Sequence, residues 1–168
     1  MKFKETESEF TLIGEEFSFS DRTLKELLQS TLAKGASLRF KVRGFSMLPF
    51  IQNGDIVTLT TLSNSSINLG QVVAFIHPLN KKLMIHRVIA RRLNTYLIKG
   101  DNLLKADSIV PRENILGSVS IVERNGKGLS FGLGRERLAI AFLSRLRFLS
   151  FISLGLRFLA LSMRKFIW

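Results

Sequence analysis

A mainly β fold is what this sequence predicts: an antiparallel or barrel-like sheet with an amino-terminal helix and a carboxy-terminal amphipathic helix. Three observations lead there. From Ile56 to Val122 the chain is a series of short β-rich runs, "IVTLTT", "QVVAFI", "LMIHRVI", "TYLI" and "ILGSVSIV". Turn-forming clusters, "SNSS", "HPLNKK" and "KGDN", punctuate them, which argues against a βαβ array. Helical periodicity is confined to the two ends.

Taken in order, residues 1–19 carry no sustained period and read as a loosely held segment or a short strand. "SDRTLKELLQSTLAKG" then reads as a helix. Ser20 or Asp21 can cap its first turn, Leu24, Leu27, Leu28 and Leu32 share one face, and Gly35 suits its exit. In "SLRFKVR" the residues alternate, Leu38, Phe40 and Val42 on one side and Arg39, Lys41 and Arg43 on the other, as in a half-buried strand. Asn53-Gly54 turns the chain into the β-rich region, and Asn125-Gly126 closes it.

The tail from about Leu138 changes character. Its longest uncharged stretch, "FLSFISLGL", is far below the roughly 20 residues that span a bilayer. At helical pitch Arg147, Ser150, Ser153, Arg157, Arg164 and Lys165 gather on a narrow face. Phe148, Phe151, Ile152, Leu156, Phe158, Leu159, Met163 and Phe166 take the rest, and Trp168 ends the chain. That pattern suits a helix lying in a membrane interface; the plainer reading is a helix docked on its own domain or on a second copy. The chain thus divides into a segment 1–36, a β-domain 37–130 and a basic tail 131–168.

Composition narrows the functional classes. At 168 residues, with 46% apolar and 23% charged residues, the chain suits one globular domain plus an appendage. With no cysteine it lacks disulfides, thiolate catalysis and cysteine-based zinc sites. The net charge of +12 raises nucleic-acid binding, but the charge is polarised: seven of the thirteen acids fall in residues 1–26 and none follows Glu136. A basic, apolar tail points to anionic lipid first, so no nucleic-acid partner is expected. Met1 to Glu16 is acidic where a secretory signal needs a cationic start and an apolar run. Peripheral membrane association on the cytoplasmic side is the expected location. Oligomeric state is not legible.

The stretch "RGFSMLPFIQNGD" offers Ser46 as a nucleophile, which needs a base within hydrogen-bond reach. Of the two histidines, His77 lies in a hairpin turn, where exposure is expected. His86 lies in "LMIHRVI", where alternation puts Met84, His86 and Val88 on one apolar face and Arg87 on the other. An imidazole there needs a carboxylate to stabilise its charged form, and "KGDNLLKAD" supplies Asp101 and Asp107. Order alone does not choose between them. The plain alternatives are a satisfied core histidine, and aspartates, Asp55 among them, that close local turns.

"GFSMLPFIQNGDIV", "LGQVVAF", "IHRVI", "YLIKGDNLLKAD" and "ILGSV", in that order, resemble the signal peptidase I superfamily, which includes the self-cleaving LexA-type repressors. The resemblance covers roughly residues 40–122. It implies Ser46 as nucleophile and His86 at the position where most relatives carry a lysine base. The nearest kin would then be the endoplasmic-reticulum-type Ser-His branch, with Asp107 as the carboxylate partner by spacing and Asp101 as the alternative. Lys99 lies in a different block, so a Ser-Lys dyad is the weaker mechanism.

The same resemblance implies a signal-peptidase-type serine endopeptidase that cuts leader-like peptides with small residues at the cleavage site and needs no cofactor and no metal. Met47 and Pro49 would help form the cleft floor. Gly44 replaces a serine that commonly helps hold the oxyanion, leaving that work to backbone N–H groups, including that of Ser46. A catalytically silent peptide-binding adaptor of the same fold is the alternative function.

Overall fold

The computed structural model describes residues 10–12, 18–19, 21–62 and 67–146. In chain order the elements are β1 (Phe10–Leu12), β2 (Ser18–Phe19), α1 (Asp21–Ala33), β3 (Leu38–Lys41), β4 (Ile56–Thr61), β5 (Val72–Ile76), β6 (Leu83–Arg92), β7 (Thr95–Lys99), β8 (Ser108–Pro111), β9 (Ile115–Arg124), β10 (Lys127–Leu129) and α2 (Arg137–Arg145). The strands form one sheet in the order β2-β1-β3-β4-β9-β5-β6-β7-β8, with β10 on β9. Every pairing among the described residues is antiparallel.

The mainly β architecture with two helices is the one predicted. In α1, Leu28 and Leu32 are buried and Leu27 is half-buried, and Gly35 takes a positive φ at the exit. In and beyond β3, Phe40 and Val42 are buried while Arg39, Lys41 and Arg43 are exposed, as the alternation requires. Two short strands, β8 and β10, are not legible as separate runs in the sequence. β8 and β10 are four and three residues long and rest on neighbouring strands more than on any periodicity of their own. The pair β1–β2 adds to the open side of β3.

β5 is buried on both faces and separates two apolar clusters. Val72, Ala74 and Ile76 join Leu28, Phe40 and Val57 in one; Val73 and Phe75 join Val88, Ile98 and Val110 in the other. β6 runs beside β5, with Val73 opposite His86 and Phe75 opposite Met84. His86 therefore stands over the second cluster, its ring 6.1 Å from that of Phe75.

The opposite face of β6 is no less buried. Arg87 is fully enclosed: its Nε and Nη2 donate to the Asp101 carboxylate at 2.8 to 3.1 Å, and its Nη1 donates to the carbonyls of Gly70 and Gly132. The guanidinium also lies 5.4 Å from the centre of the Phe50 ring. Lys99, paired across the strands with Arg87, points to that same face, where its ammonium donates to the Ser144 carbonyl near the end of α2. A cation at a helix carboxy terminus complements the dipole there.

α2 packs against β6 through a face that includes buried Ile140, Ala141 and Ser144, leaving Leu138, Phe142 and Leu146 exposed. The turn before it is held by Glu136, whose carboxylate accepts from the backbone amides of Gly132 and Gly134. A bond from its own amide, and then these two, hold the Glu136 carboxyl below the ordinary carboxylate range. The turn therefore keeps these bonds through the ordinary carboxylate range and loses them only as pH falls below it. The first part of the predicted tail is thus seated on the sheet, and residues 147–168, which carry the predicted basic face, lie outside the described residues.

Two variants test this arrangement by denaturant unfolding. Leu28→Ala empties the contact of α1 with the first cluster and should lower stability by about 2–5 kcal/mol, whereas exposed Gln29→Ala should stay within about 0.5 kcal/mol of wild type. Arg87→Met strands a buried carboxylate and should lower stability by about 3–5 kcal/mol, with most of that loss recovered in the Arg87→Met/Asp101→Leu double variant.

Candidate active site

The nucleophile segment begins where β3 leaves the sheet. Val42 still pairs with the loop that precedes β4, its amide bonded to the Asp55 carbonyl and its carbonyl to the Gly54 amide. Gly44 then turns the chain at φ 110, a left-handed conformation that favours glycine, and its amide donates to Asn53 Oδ1 at 3.1 Å. From Met47 the backbone makes a tight turn, with Phe50 and Ile51 both donating to the Met47 carbonyl. Met47 and Ile51, four apart, face inward and are buried in the first cluster.

Asp55 closes this loop. Its carboxylate accepts from the Gln52 amide and from Nε and Nη2 of Arg124, all between 2.7 and 2.8 Å. The turn role that is the default for an aspartate after glycine is the one it fills.

Ser46 is held from the other side by the loop after β7. The Asn102 amide donates to the Ser46 carbonyl at 2.8 Å, and Asn102 Nδ2 donates to the Phe45 carbonyl at 3.0 Å. Gly100 permits this approach, since a Cβ there would lie 2.7 Å from the Ser46 carbonyl oxygen. The sequence signal for both residues is the glycine-aspartate-asparagine block, 100–102.

The hydroxyl of Ser46 lies 2.8 Å from His86 Nε2, and His86 Nδ1 lies 2.6 Å from Asp107 Oδ2. The side chains of His86 and Asp107 are 3% and 7% exposed, so little water competes for the bond between them. With Asp107 accepting from Nδ1–H, the lone pair on Nε2 is left to receive the serine proton. Asp107 is fixed in turn by its own amide, which donates to the Ile98 carbonyl at 2.9 Å and continues the β7–β8 ladder.

Of the two aspartates left open by the sequence, Asp107 meets His86 and Asp101 meets Arg87 on the other face. Burial pushes the Asp101 carboxyl up from the ordinary range, and the bonds and charge of Arg87 oppose it. Lys99 shares that face and is turned away from Ser46. His77 departs from expectation. Rather than an exposed turn residue it is 9% exposed, its Nδ1 accepting from the amides of Leu79 and Asn80, so the imidazole serves as the internal brace of the hairpin. It does not join the site.

A cavity of about 200 Å³ opens beside Ser46 and His86. One wall is the segment from Val42 to Met47, the other runs from Lys82 to His86, and most of the lining is apolar. Met47 and Gly44 line it. Pro49 does not: it is exposed on the outer side of the turn that faces Met47 and Ile51 inward.

The geometry has a counterpart among known families. A protein-family model described as Peptidase S24-like matches residues 4–120, well over half of the chain and a span that takes in Ser46, His86 and Asp107. Comparison with curated proteins returned no match. On the extent of that match the chain belongs to the Peptidase S24-like family, serine peptidases of the LexA and signal peptidase superfamily.

Proposed function

We propose that this chain is a serine endopeptidase of signal-peptidase type that works through a Ser46-His86-Asp107 triad, as in the endoplasmic-reticulum-type branch. The observation that carries the reading is the unbroken line from Asp107 through His86 to the Ser46 hydroxyl at the edge of an apolar cleft. His86 Nε2 takes the proton as Ser46 Oγ attacks the scissile carbonyl, and the backbone N–H of Ser46 helps hold the oxyanion. His86 then returns the proton to the leaving amine. The acyl-enzyme that remains is cleared by water, activated through the same imidazole. Asp107 keeps the ring in the tautomer that leaves Nε2 free and stabilises the imidazolium.

The substrate in this reading is an extended leader-like segment with small residues at the cut. The wall at Leu83 to Ile85 is the start of β6, so such a segment can add alongside it as a strand, with the apolar lining accepting side chains. Substrate and enzyme meet at a membrane surface on the cytoplasmic side. Support for the membrane surface comes from the tail: Leu138 and Phe142 on α2 and Leu146 just after it are exposed and apolar, and the chain continues into the basic, aromatic residues 147–168. Among the described residues no helix is long and apolar enough to cross a membrane, so the association proposed is peripheral.

A serine-directed acylating probe tests the mechanism. Wild type should be labelled at Ser46, Ser46→Ala should not, and His86→Ala should be labelled about 10²–10⁴-fold more slowly. Asp107→Asn should also lose about 10³–10⁴-fold, while retaining its fold by circular dichroism. Absence of labelling in folded wild type would leave the chain a peptide-binding adaptor.

A further inference from the structure

β6 is longer than its neighbour β7. The two pair from Arg87 to Arg92, so on the side away from β5 no strand lies beside Leu83 to His86 among the described residues. The His77 amide donates to the Lys82 carbonyl at 2.9 Å, which sets the alternation along the ladder. The backbone groups of Lys82, Met84 and His86 turn toward β5, and those of Leu83 and Ile85 turn toward the open side. That open side is a wall of the cleft.

The side chains of the same two residues are apolar and lie on the face of the first cluster. Leu83 belongs to that cluster with Val42, Met47 and Ile51, and half-buried Ile85 packs against it. All five line the cavity beside Ser46 and His86. Arg43, Gln52, Asn80 and Lys82 border it too, but each is half-buried or exposed, so they belong to its rim. The volume of the cavity, about 200 Å³, decides what can fill it. An apolar cavity of roughly 150 Å³ holds benzene, so this one has room for a leucine, methionine or phenylalanine side chain. An alanine methyl would leave most of it empty and forfeit the dispersion contacts of the lining.

We infer that the cavity receives one large apolar side chain of the substrate, about one to three residues from the bond to be cut, and that Ile85 sets its size limit. This deepens the peptidase reading above and rests on it. A strand added on the open edge of β6 bonds to Leu83 and Ile85, and the side chains beside theirs point into the cavity. At about 3.3 Å per residue, Ile85 and Leu83 stand about 3 and 10 Å from His86 along β6, which fixes the offset. The residues at the bond itself stay small, because its carbonyl must come up to the Ser46 hydroxyl.

Alanine decapeptides with a lysine at each end, in which a single Leu, Met or Phe is moved one position at a time, provide the test. Cut sites in wild type are mapped by mass spectrometry, and binding to the full-length Ser46→Ala variant is measured in parallel. The best of these peptides should exceed the all-alanine one by about ten- to a hundredfold in kcat/KM and in affinity. The cut should travel with the large residue at a constant offset. Ile85→Phe, which narrows the cavity, should shift the preference toward Val and Ala, and Ile85→Ala, which widens it, should shift it toward Phe. Both variants should keep the circular dichroism of wild type, and opposite shifts from one position are not what a general loss of packing produces.

Equal handling of the large-residue and all-alanine peptides, binding of none of them, cut sites that ignore the large residue, or a preference unmoved in both folded Ile85 variants would each overturn the proposal. The two readings fail separately. A preference in binding without cleavage or probe labelling removes the peptidase and keeps the pocket; labelling of Ser46 without any size preference does the reverse.

Discussion

The buried ion pair between Arg87 and Asp101 is the constraint on which the site depends. Each partner is fully enclosed, and each is flanked in sequence by residues that hold the reacting groups. His86 immediately precedes Arg87. Gly100 and Asn102 bracket Asp101, the first allowing the close approach to the Ser46 carbonyl and the second donating to it. A buried pair of this kind contributes little net stability, because desolvating both charges offsets most of their attraction. Its consequence is geometric. A slip of the loop after β7 relative to β6 would leave two unpaired charges in the interior, so the backbone that carries the base and the backbone that supports the nucleophile are held in one register.

β6 can serve this purpose because both of its faces are buried. On one, His86 meets Ser46, Asp107 and the Phe75 cluster; on the other, Arg87 meets Asp101 and the carbonyls of two loops. Strand alternation separates the two sets by one residue, which keeps the structural carboxylate away from the imidazole and leaves Asp107 as its direct partner. The surroundings of His86 and Asp107 are nearly dry. Their hydrogen bond therefore acts in a medium of lower effective dielectric than water, where an imidazolium formed during proton transfer is stabilised more strongly by its carboxylate.

This arrangement explains what was legible in the chain and what was not. The long strands and the apolar setting of His86 follow from alternation and turn chemistry, which are local properties, whereas its pairing with Ser46 is what the resemblance of the ordered blocks implies. The choice between Asp101 and Asp107 was not local. Both follow β7 closely, and what separates them is the fold of the loop between, where one carboxylate turns to Arg87 and the other is carried back beside β6 by its amide bond to Ile98. Arg87 could be placed on the face opposite His86, but its burial could not be foreseen, because the layer that covers that face comes from Gly70, Gly132 and α2, distant in sequence. His77 departs from its expected exposure for a related reason: a hairpin turn is exposed by default, yet here the ring folds back to accept from two amides of its own turn.

α2 extends the same logic beyond the site. Its carboxy-terminal carbonyl at Ser144 rests on Lys99, two residues before Asp101 in the segment that supports Ser46. The helix also covers the face of β6 that holds Arg87, and the turn that leads into it supplies the Gly132 carbonyl to that guanidinium. The carboxy-terminal region is thus joined to the reactive face through the interior and not only through the chain. If the residues that follow α2 engage a membrane as proposed, the mechanical path from that surface to Ser46 is short: α2, Lys99, Gly100 and Asn102. A tail seated on lipid would then fix the orientation of the cleft relative to the bilayer, because the element that leads to the tail is packed on the strand that carries the base.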